Sequence, residues 1–349
     1  MIPILFKADA SDFSTYGIGP LPDTVSCEVT EERNGAYECV LRYPASGRNY
    51  PELRNERIVK VKPNDTAADQ AFRIYRITTP INGIVTVYAQ HISYDLSGIP
   101  APLRESTSTP PQFAVEQEFE NAPIPHRFTF RTDYTEPKPF SVDRPKSLRA
   151  MLGGSEGSLM NLWGGEFEWD NYRVIHHRGR GANAGVVIEY GKNLTKMEHD
   201  ADAGEVYTDL LPYAVSTAED GTETVITLRE QLLPIVAENT ARRKTLIRDF
   251  TDSFSYSTAV TEEMLRERAV KYLQNNPLGV ETPTLTVAFE PLWKQPEYAA
   301  VLERVSLCDT VTVRHSELGI SVHTKVIKTV YDTLSEKYDR SHSALPKPT

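Results

Sequence analysis

The stretch that decides the fold runs from Leu152 to Leu194 and reads LGGSEGSLMNLWGGEFEWDNYRVIHHRGRGANAGVVIEYGKNL. From Tyr172 to His177 successive side chains alternate with the period of a β-strand. The same period returns from Val186 to Tyr190, after the glycine-rich segment Gly179 to Gly185. Two alternating runs joined by glycines predict a β-hairpin.

The part before this hairpin reads as a packed module with tight turns. Residues Leu148 to Leu162 combine a short helical pattern with glycine breaks. Gly164 and Gly165 can take positive φ and let another backbone approach closely. A binding loop is the alternative interpretation of these glycines, and tight turns are the favoured one.

Composition predicts a soluble, multidomain protein. A chain of 349 residues has room for two to four domains, and 40% hydrophobic with 25% charged residues is ordinary for a globular protein. No apolar run approaches the roughly 18 residues of a membrane span. The start, MIPILFKADASDF, lacks the basic region and cleavage site of a signal peptide and predicts a first strand instead. The net charge of −10 argues against a sequence-specific nucleic-acid binder.

Three cysteines, Cys27, Cys39 and Cys308, are too few and too unevenly spaced for a disulfide framework. Two of them lie on alternating strands around Asn34-Gly35. A three-residue loop, Arg33 to Gly35, aligns both apolar faces, with Gly35 left-handed at a bulge. This register sets Cys27 opposite Leu41 and Cys39 opposite Val29, so the two cysteines are diagonal neighbours. We therefore predict free thiols, as in a reducing cytoplasm.

Further strands and breaks complete the chain. Strands are expected at Ile58–Lys62, Phe72–Thr78 and Ile84–His91, with a tight turn at Asn82-Gly83, and the proline-containing segment Gly98–Pro111 indicates a linker. Many short strands at regular spacing favour a β-barrel.

The C-terminal part mixes strands with helices. A hairpin is predicted around Asp220-Gly221 and a strand from Leu285 to Phe289. One long helix is predicted over 261–275, with Thr261 as its cap. A short helix is expected at Pro296–Arg304, and a disordered tail from Ala344 to Thr349.

The sequence resembles the prophage tail protein family of long-tailed bacteriophages, the tail-associated hub or "tail endopeptidase" proteins. Four segments fall in the family's order and spacing: Gly153–Ser158, Gly164–Glu166 with Trp169–Asn171, Arg178–Gly179, and Tyr190–Leu194. Other segments also resemble the family: Glu56–Ile58, Phe72–Ile77, Ala89–Leu96, and in the last part Leu307–Val313, Lys325–Val326, Tyr331–Leu334 and Lys337–Tyr338. Each segment alone is a weak signal, but the first four in order form a specific one. The family usually has Gly where Cys308 stands, which affects the local turn.

The resemblance implies an α+β, mostly β fold with two tube-lining β-barrel domains, an inserted β-rich module and one long helix. The expected domains are 1–100, the first barrel; 101–200, the inserted module; and 201–349, the second barrel with helix 261–275.

The implied function is that of a structural hub of a bacteriophage or prophage tail tip, not an enzyme. Such a hub closes the tail tube, connects it to the baseplate or fibre, and forms a channel for DNA. The family's hubs form a homotrimer whose six barrels make a pseudo-sixfold ring. The expected partners are the distal tail protein and tail tube above, the tape-measure protein or a fibre or lysin below, and the host cell wall. The protein would be made in the bacterial host cytoplasm and reside in the virion tail tip.

Two other functions stay open: a tail-associated endopeptidase or peptidoglycan hydrolase, and a module that binds host cell-wall carbohydrate. The family's peptidase activity is expected in a region beyond the hub. The carbohydrate alternative rests on Trp163, Trp169 and Tyr172, for which core or interface packing is favoured. Glu166, Glu168 and Asp170 alternate and could face one side, as a glycosidase requires, but on one exposed strand they would repel one another.

Candidate catalytic residues are sparse. The zinc-protease pattern H-E-x-x-H is absent, and His176 and His177 point to opposite faces of a strand. His315 and His323 flank a turn and could approach across a hairpin. Cys308, with His315 seven residues on, is the one candidate thiol nucleophile. We assign no catalytic, cofactor-binding or metal-binding residue and expect no cofactor.

Overall fold

The chain is mostly β, with few helices, in the computed structural model of the protein. The structure describes residues 1–78, 83–155, 157–183, 185–190, 192, 194–202, 206–218, 221–235, 242–254, 259–276, 278–279, 282–289, 304–318 and 320–344. The short helix predicted at Pro296–Arg304 and the tail after Ala344 lie almost entirely outside these residues, as does Asn82 of the predicted turn.

The N-terminal segment folds as strands that bury alternate side chains, as their sequence period predicts. These strands are β1 (Ile4–Phe6), β2 (Gly19–Pro20), β3 (Ser26–Glu32), β4 (Tyr37–Pro44), β5 (Ile58–Val61), β6 (Gln70–Ile77) and β7 (Ile84–His91). Their inward side chains, among them Leu41, Val59 and Phe72, form one fully buried core.

The inserted module carries its own core on short elements. They are β8 (Arg104–Thr109), α1 (Pro111–Glu120), β9 (Thr129–Thr132), β10 (Lys138–Val142), α2 (Leu148–Leu152), α3 (Leu159–Trp163), β11 (Glu166–Asp170) and β12 (Arg173–His177). The predicted pattern of short helices and glycine breaks appears as α2 and α3, each capped by a serine at its start. The segment predicted to be a linker, 98–111, contains β8, which pairs with β10, so that prediction was incomplete.

The predicted hairpin between residues 172–177 and 186–190 is wrong. Strand β12 pairs antiparallel with β11 across a turn at Asn171, and β9 lies parallel on its other side. Strand β13 (Val187–Glu189) instead pairs in parallel with β20 (Thr310–His315). Alternation identifies strands but does not specify partners, and a long glycine-rich segment can leave one sheet and enter another.

The C-terminal segment adds the remaining strands and the longest described helix. They are β14 (Leu194–Asp202), β15 (Asp209–Thr217), β16 (Glu223–Thr227), β17 (Leu233–Pro234), β18 (Thr245–Asp249), α4 (Glu262–Asn275), β19 (Thr282–Phe289), β21 (Ile320–Asp332) and β22 (Lys337–Ala344). Helix α4 begins where the sequence predicts, with Thr261 Oγ1 accepting from the Met264 amide at 3.3 Å. It packs on the small sheet of β15 to β18 through Leu265 and Ala269.

One large sheet combines the two ends of the chain. Its strand order is β14-β19-β22-β21-β3-β4-β7-β6-β5-β1-β2, with β20 and β13 added beside β21. The connecting step is the antiparallel pair β21–β3, in register from Lys328 opposite Glu32 to Asp332 opposite Glu28. The described pairings therefore unite the two predicted barrel segments in one curled sheet and do not by themselves close either segment into a barrel.

The β3–β4 hairpin has the predicted register. Cys27 faces Leu41 and Cys39 faces Val29, which leaves the two cysteine sulfurs 3.6 Å apart as diagonal neighbours. The left-handed residue of the turn is Asn34, at φ 56°, and not Gly35 as predicted. Asparagine is one of the few residues other than glycine that adopt this left-handed conformation routinely.

Candidate functional site

The inserted module is attached to the large sheet through two asparagines at hairpin turns. Asn34, in the β3–β4 turn, accepts a hydrogen bond from the Phe167 amide at 2.8 Å and donates to the Gly165 carbonyl at 3.0 Å. The side-chain amide of Asn34 thus both accepts from and donates to the backbone at the start of β11, as a peptide group of a neighbouring strand would. The sequence indicates the turn but not this second role.

Asn171 makes the reciprocal attachment from the module. It lies in the β11–β12 turn at φ 49°, accepts from the Ala71 amide at 2.8 Å and donates to the Asp69 carbonyl at 3.2 Å. Each body therefore presents a left-handed asparagine to the backbone of the other. Two such contacts specify both position and orientation.

A network of charged groups, centred on Glu166, lies at the contact between the module and the large sheet, which we call the junction. The Glu166 carboxylate is 2.5 Å from Lys325 Nζ, 3.4 Å from Arg33 Nη1 and 2.6 Å from the Arg180 backbone nitrogen. Burial opposes its ionisation, but the hydrogen bonds from Lys325 and from the Arg180 amide outweigh burial and lower the pKa of Glu166. This carboxylate connects the module to Arg33 of the N-terminal segment and to Lys325 of the C-terminal segment.

Arg180 and Glu31 form a second ion pair beside it. Their Nη1 and Oε1 atoms are 3.3 Å apart, and both side chains are largely buried. Arg180 Nη1 also donates to the Phe167 carbonyl at 2.8 Å. Burial raises the pKa of Glu31 in spite of the attraction of Arg180, so the pair is costly to expose or to break.

The three alternating acidic residues do not form the exposed, mutually repelling row that was expected. Glu166 is in the junction network, Glu168 lies 2.8 Å from His177 Nε2, and Asp170 accepts from Gln70 at 3.0 Å and from Arg173 at 3.1 Å. Partners on three different strands, Lys325, His177 and Gln70, give each carboxylate separate hydrogen bonds where strand period alone shows one acidic face. No two of the three carboxylates are left to act together as an acid and a base.

The adjacent histidines have separate environments, as their strand positions predict. His176 is buried, with Nε2 2.7 Å from the Gly164 carbonyl and Nδ1 3.1 Å from Thr132 Oγ1. Because a carbonyl only accepts, Nε2 carries the proton and donates, and burial lowers the pKa of the ring. His177 lies between Asp133 and Glu168 on the other side of the strand.

Cys308 and His315 do not form the arrangement that a thiol nucleophile requires. Cys308 is 1% exposed, and burial raises the pKa of its thiol to about 12, which keeps it protonated and poorly nucleophilic at neutral pH. His315 lies at the far end of β20, opposite Ile320, with its ring stacked on Tyr190 at 4.4 Å. His323 faces Thr312 and not His315, so the predicted approach of these two histidines does not occur.

The aromatic residues considered for carbohydrate binding pack internally. Trp163 is 6% exposed and donates its indole N–H to the Glu136 carbonyl at 2.9 Å. Trp169 packs against the cores of both the module and the large sheet. Tyr172 stacks on Phe13 at 6.0 Å. Within the described ranges no cluster of three potential metal ligands occurs, and no helix there is long and apolar enough to cross a membrane.

This fold occurs in tail proteins of known structure. The prophage tail protein gp18 of Listeria monocytogenes matches with a TM-score of 0.58 at 14% identity, covering 100% of this chain and 96% of that one. The 43 kDa tail protein of prophage MuSo2 from Shewanella oneidensis gives 0.62 at 10% identity, covering 100% and 99%. A tail protein of Neisseria meningitidis gives 0.57 at 10% identity, covering 99% and 96%. At these identities the likeness establishes a shared fold.

A family model matches the C-terminal part of the sequence. Residues 182–340 match the family model described as "Prophage endopeptidase tail". No curated protein sequence matches the chain. The resemblance to the prophage tail protein family is thereby supported, by sequence over residues 182–340 and by a fold shared with tail proteins of known structure.

Proposed function

We propose that the protein is the hub of a phage or prophage tail tip, which closes the tail tube, connects it to the baseplate or fibre, and surrounds a channel for DNA. In this role it forms a threefold ring, with two barrel-like segments per chain, 1–100 and 201–349, facing the channel. The distal tail protein and tube lie above it, and the tape-measure protein or a fibre or lysin lies below.

The observation that carries the proposal is the strand pair β21–β3. This antiparallel pair makes one continuous sheet from residues on either side of the inserted module. A wall that must stay in register during DNA passage benefits from backbone hydrogen bonds across its full width, because a one-residue slip would expose every buried side chain. The module is held beside that wall by Asn34, Asn171 and Glu166 and is available for contacts with other tail parts.

The first test is the oligomeric state combined with position in the particle. Light scattering over a wide concentration range should give a trimer, or a monomer that becomes a trimer as concentration rises. Electron microscopy of particles carrying a gold-labelled tag on this chain should show the label at the tail tip. A stable dimer, or a label on the capsid or along the tube, contradicts the hub proposal.

A peptidase is the second candidate, because the matching family model carries an endopeptidase description. The buried Cys308 thiol and its separation from His315 favour a structural role. Purified protein should therefore leave peptidoglycan and peptides intact, with or without added zinc. Cleavage that disappears in both Cys308→Ala and His315→Ala would instead establish the peptidase.

A further inference from the structure

A small cavity lies where the β3–β4 turn, α2 and β11 meet. Its volume is about 200 Å³, and most of its wall is apolar. The lining side chains include Leu152, Met160, Phe167 and Trp169, with Arg149 as the charged member. A cavity of about 150 Å³ in another protein accommodates benzene, so this one has room for an aromatic or branched group with a small polar end.

Arg149 lies in the wall of this cavity, and none of the described residues provides it with a counter-ion. Its guanidinium lies 4.0 Å from the centre of the Tyr94 ring and 4.6 Å from that of Trp169. Nη1 donates to Ser93 Oγ at 3.0 Å. Throughout the described ranges, no carboxylate lies within ion-pair distance of it. Burial lowers the pKa of Arg149, so its charge is incompletely stabilised.

Two other arginines near the contact between the module and the large sheet contrast with it. Arg33 pairs with Glu166, and Arg180 pairs with Glu31. A desolvated guanidinium normally has such a partner, because the uncompensated charge costs several kcal/mol. Two aromatic rings offset part of this cost at Arg149 and hold the planar group in one orientation. A preoriented guanidinium with unused donors is suited to a carboxylate, which it can bind through two parallel hydrogen bonds.

We propose that this cavity binds a monocarboxylate that carries a small apolar group. The carboxylate would pair with Arg149, and the apolar group would lie against Trp169, Phe167 and Met160. The single cation and apolar wall favour one negative charge over a dianion such as phosphate. The same chemistry occurs in a free organic acid and at the carboxyl end of a peptide. This inference is independent of the hub proposal.

Benzoate is the probe, with benzamide as its uncharged counterpart of equal size. Ligand-observed NMR titration should detect benzoate binding to the full chain and binding of benzamide at least about tenfold weaker, as expected for a hydrogen bond to a charged group. Arg149→Met should weaken benzoate binding by a similar factor. Arg131→Met is the matched control, since Arg131 is an exposed arginine of the same module and not part of the cavity.

A second variant tests the cavity without changing Arg149, in case Arg149→Met does not fold. Gly153 borders the cavity in extended backbone, and an added Cβ would lie 3.5 Å from Phe167 and 3.6 Å from Met160. Gly153→Val should therefore fold normally and exclude benzoate by volume. Competition by acetyl-alanyl-alanine, but not by its amide, would assign the site to peptide ends, and failure to compete would assign it to free acids. Absence of benzoate binding, equal binding of benzamide, or full binding by folded Arg149→Met would overturn the proposal.

Discussion

Asn34 and Phe167 are joined by a hydrogen bond of 2.8 Å from the Phe167 amide to Asn34 Oδ1, across 133 positions of sequence. The contact makes a hairpin turn of the large sheet the anchor for the first strand of the module. Asn171 provides the same kind of contact in the opposite direction, to Ala71. The module is therefore positioned by hydrogen bonds from asparagine side chains to backbone groups as well as by apolar packing.

Replacing either asparagine by glycine should weaken the attachment without disturbing the turn. Glycine accepts the left-handed conformation of Asn34 and Asn171, so the loss in excess of that at another left-handed asparagine reports the side-chain hydrogen bonds. We expect each change to cost about 1–3 kcal/mol of unfolding free energy in urea titrations. Asn49→Gly, at another left-handed asparagine, should cost less because it loses a single exposed hydrogen bond. Equal losses at all three sites would contradict the assigned role.

Glu166 should make stability depend on pH in the acidic range. Its folded pKa lies below the ordinary 4.5, so its contribution is complete above that value and is lost as pH falls through the folded pKa. Glu166→Gln should flatten this loss, and Glu166→Ala should cost about 1–3 kcal/mol at pH 7 because it removes the hydrogen bonds of a charged carboxylate to Lys325 and to the Arg180 amide. Urea unfolding at pH 7 and pH 3 measures both effects. A wild-type protein equally stable at both pH values would contradict the network.

Cys308 lies in a backbone conformation that favours glycine. Its φ is 73°, and its carbonyl lies so close to Gly181 that a Cβ there would approach to 2.1 Å. We expect Cys308→Gly to be about 1 kcal/mol more stable than Cys308→Ala, because both lose the thiol but only glycine adopts positive φ without strain. Thermal unfolding of the two variants measures the difference. Greater stability of the alanine variant would exclude a left-handed residue 308.

The three thiols should be free and protected in the folded protein. The sulfurs of Cys27 and Cys39 are 3.6 Å apart on diagonal positions, and all three cysteines are buried. Mass spectrometry without reductant should find three thiols that react with an alkylating agent only after unfolding. A crosslink between Cys27 and Cys39 would contradict the register of their hairpin.

Duplex DNA should pass the protein without binding to it. In the proposed hub, we predict that Asp and Glu at least equal Lys and Arg on the surfaces of 1–100 and 201–349 that would line the channel, in line with the net charge of −10. Basic residues on the wall would add affinity at low salt, whereas acidic ones repel phosphate within a Debye length of about 10 Å at 0.1 M salt. Gel-shift assays at about 50 mM salt should show no complex. Tight binding would reject this prediction.

Local sequence determined the local elements. Alternation located most strands, the short helical pattern anticipated α2 and α3, and Thr261 marked the start of α4. The alignment of apolar faces also predicted the register of Cys27 and Cys39 correctly. These features depend on neighbours close in the chain, for which residue preference and period carry enough information.

Only the tertiary structure decided which elements meet. The partner of β12, the step from β21 to β3, and the neutralisation of Glu166 by Arg33 and Lys325 all join residues far apart in sequence. Strand period shows which face is apolar but leaves the neighbouring strand undefined. Likewise, Arg149 has the same sequence signal as any exposed arginine. Its position beside Trp169 arises from packing between the module and the large sheet.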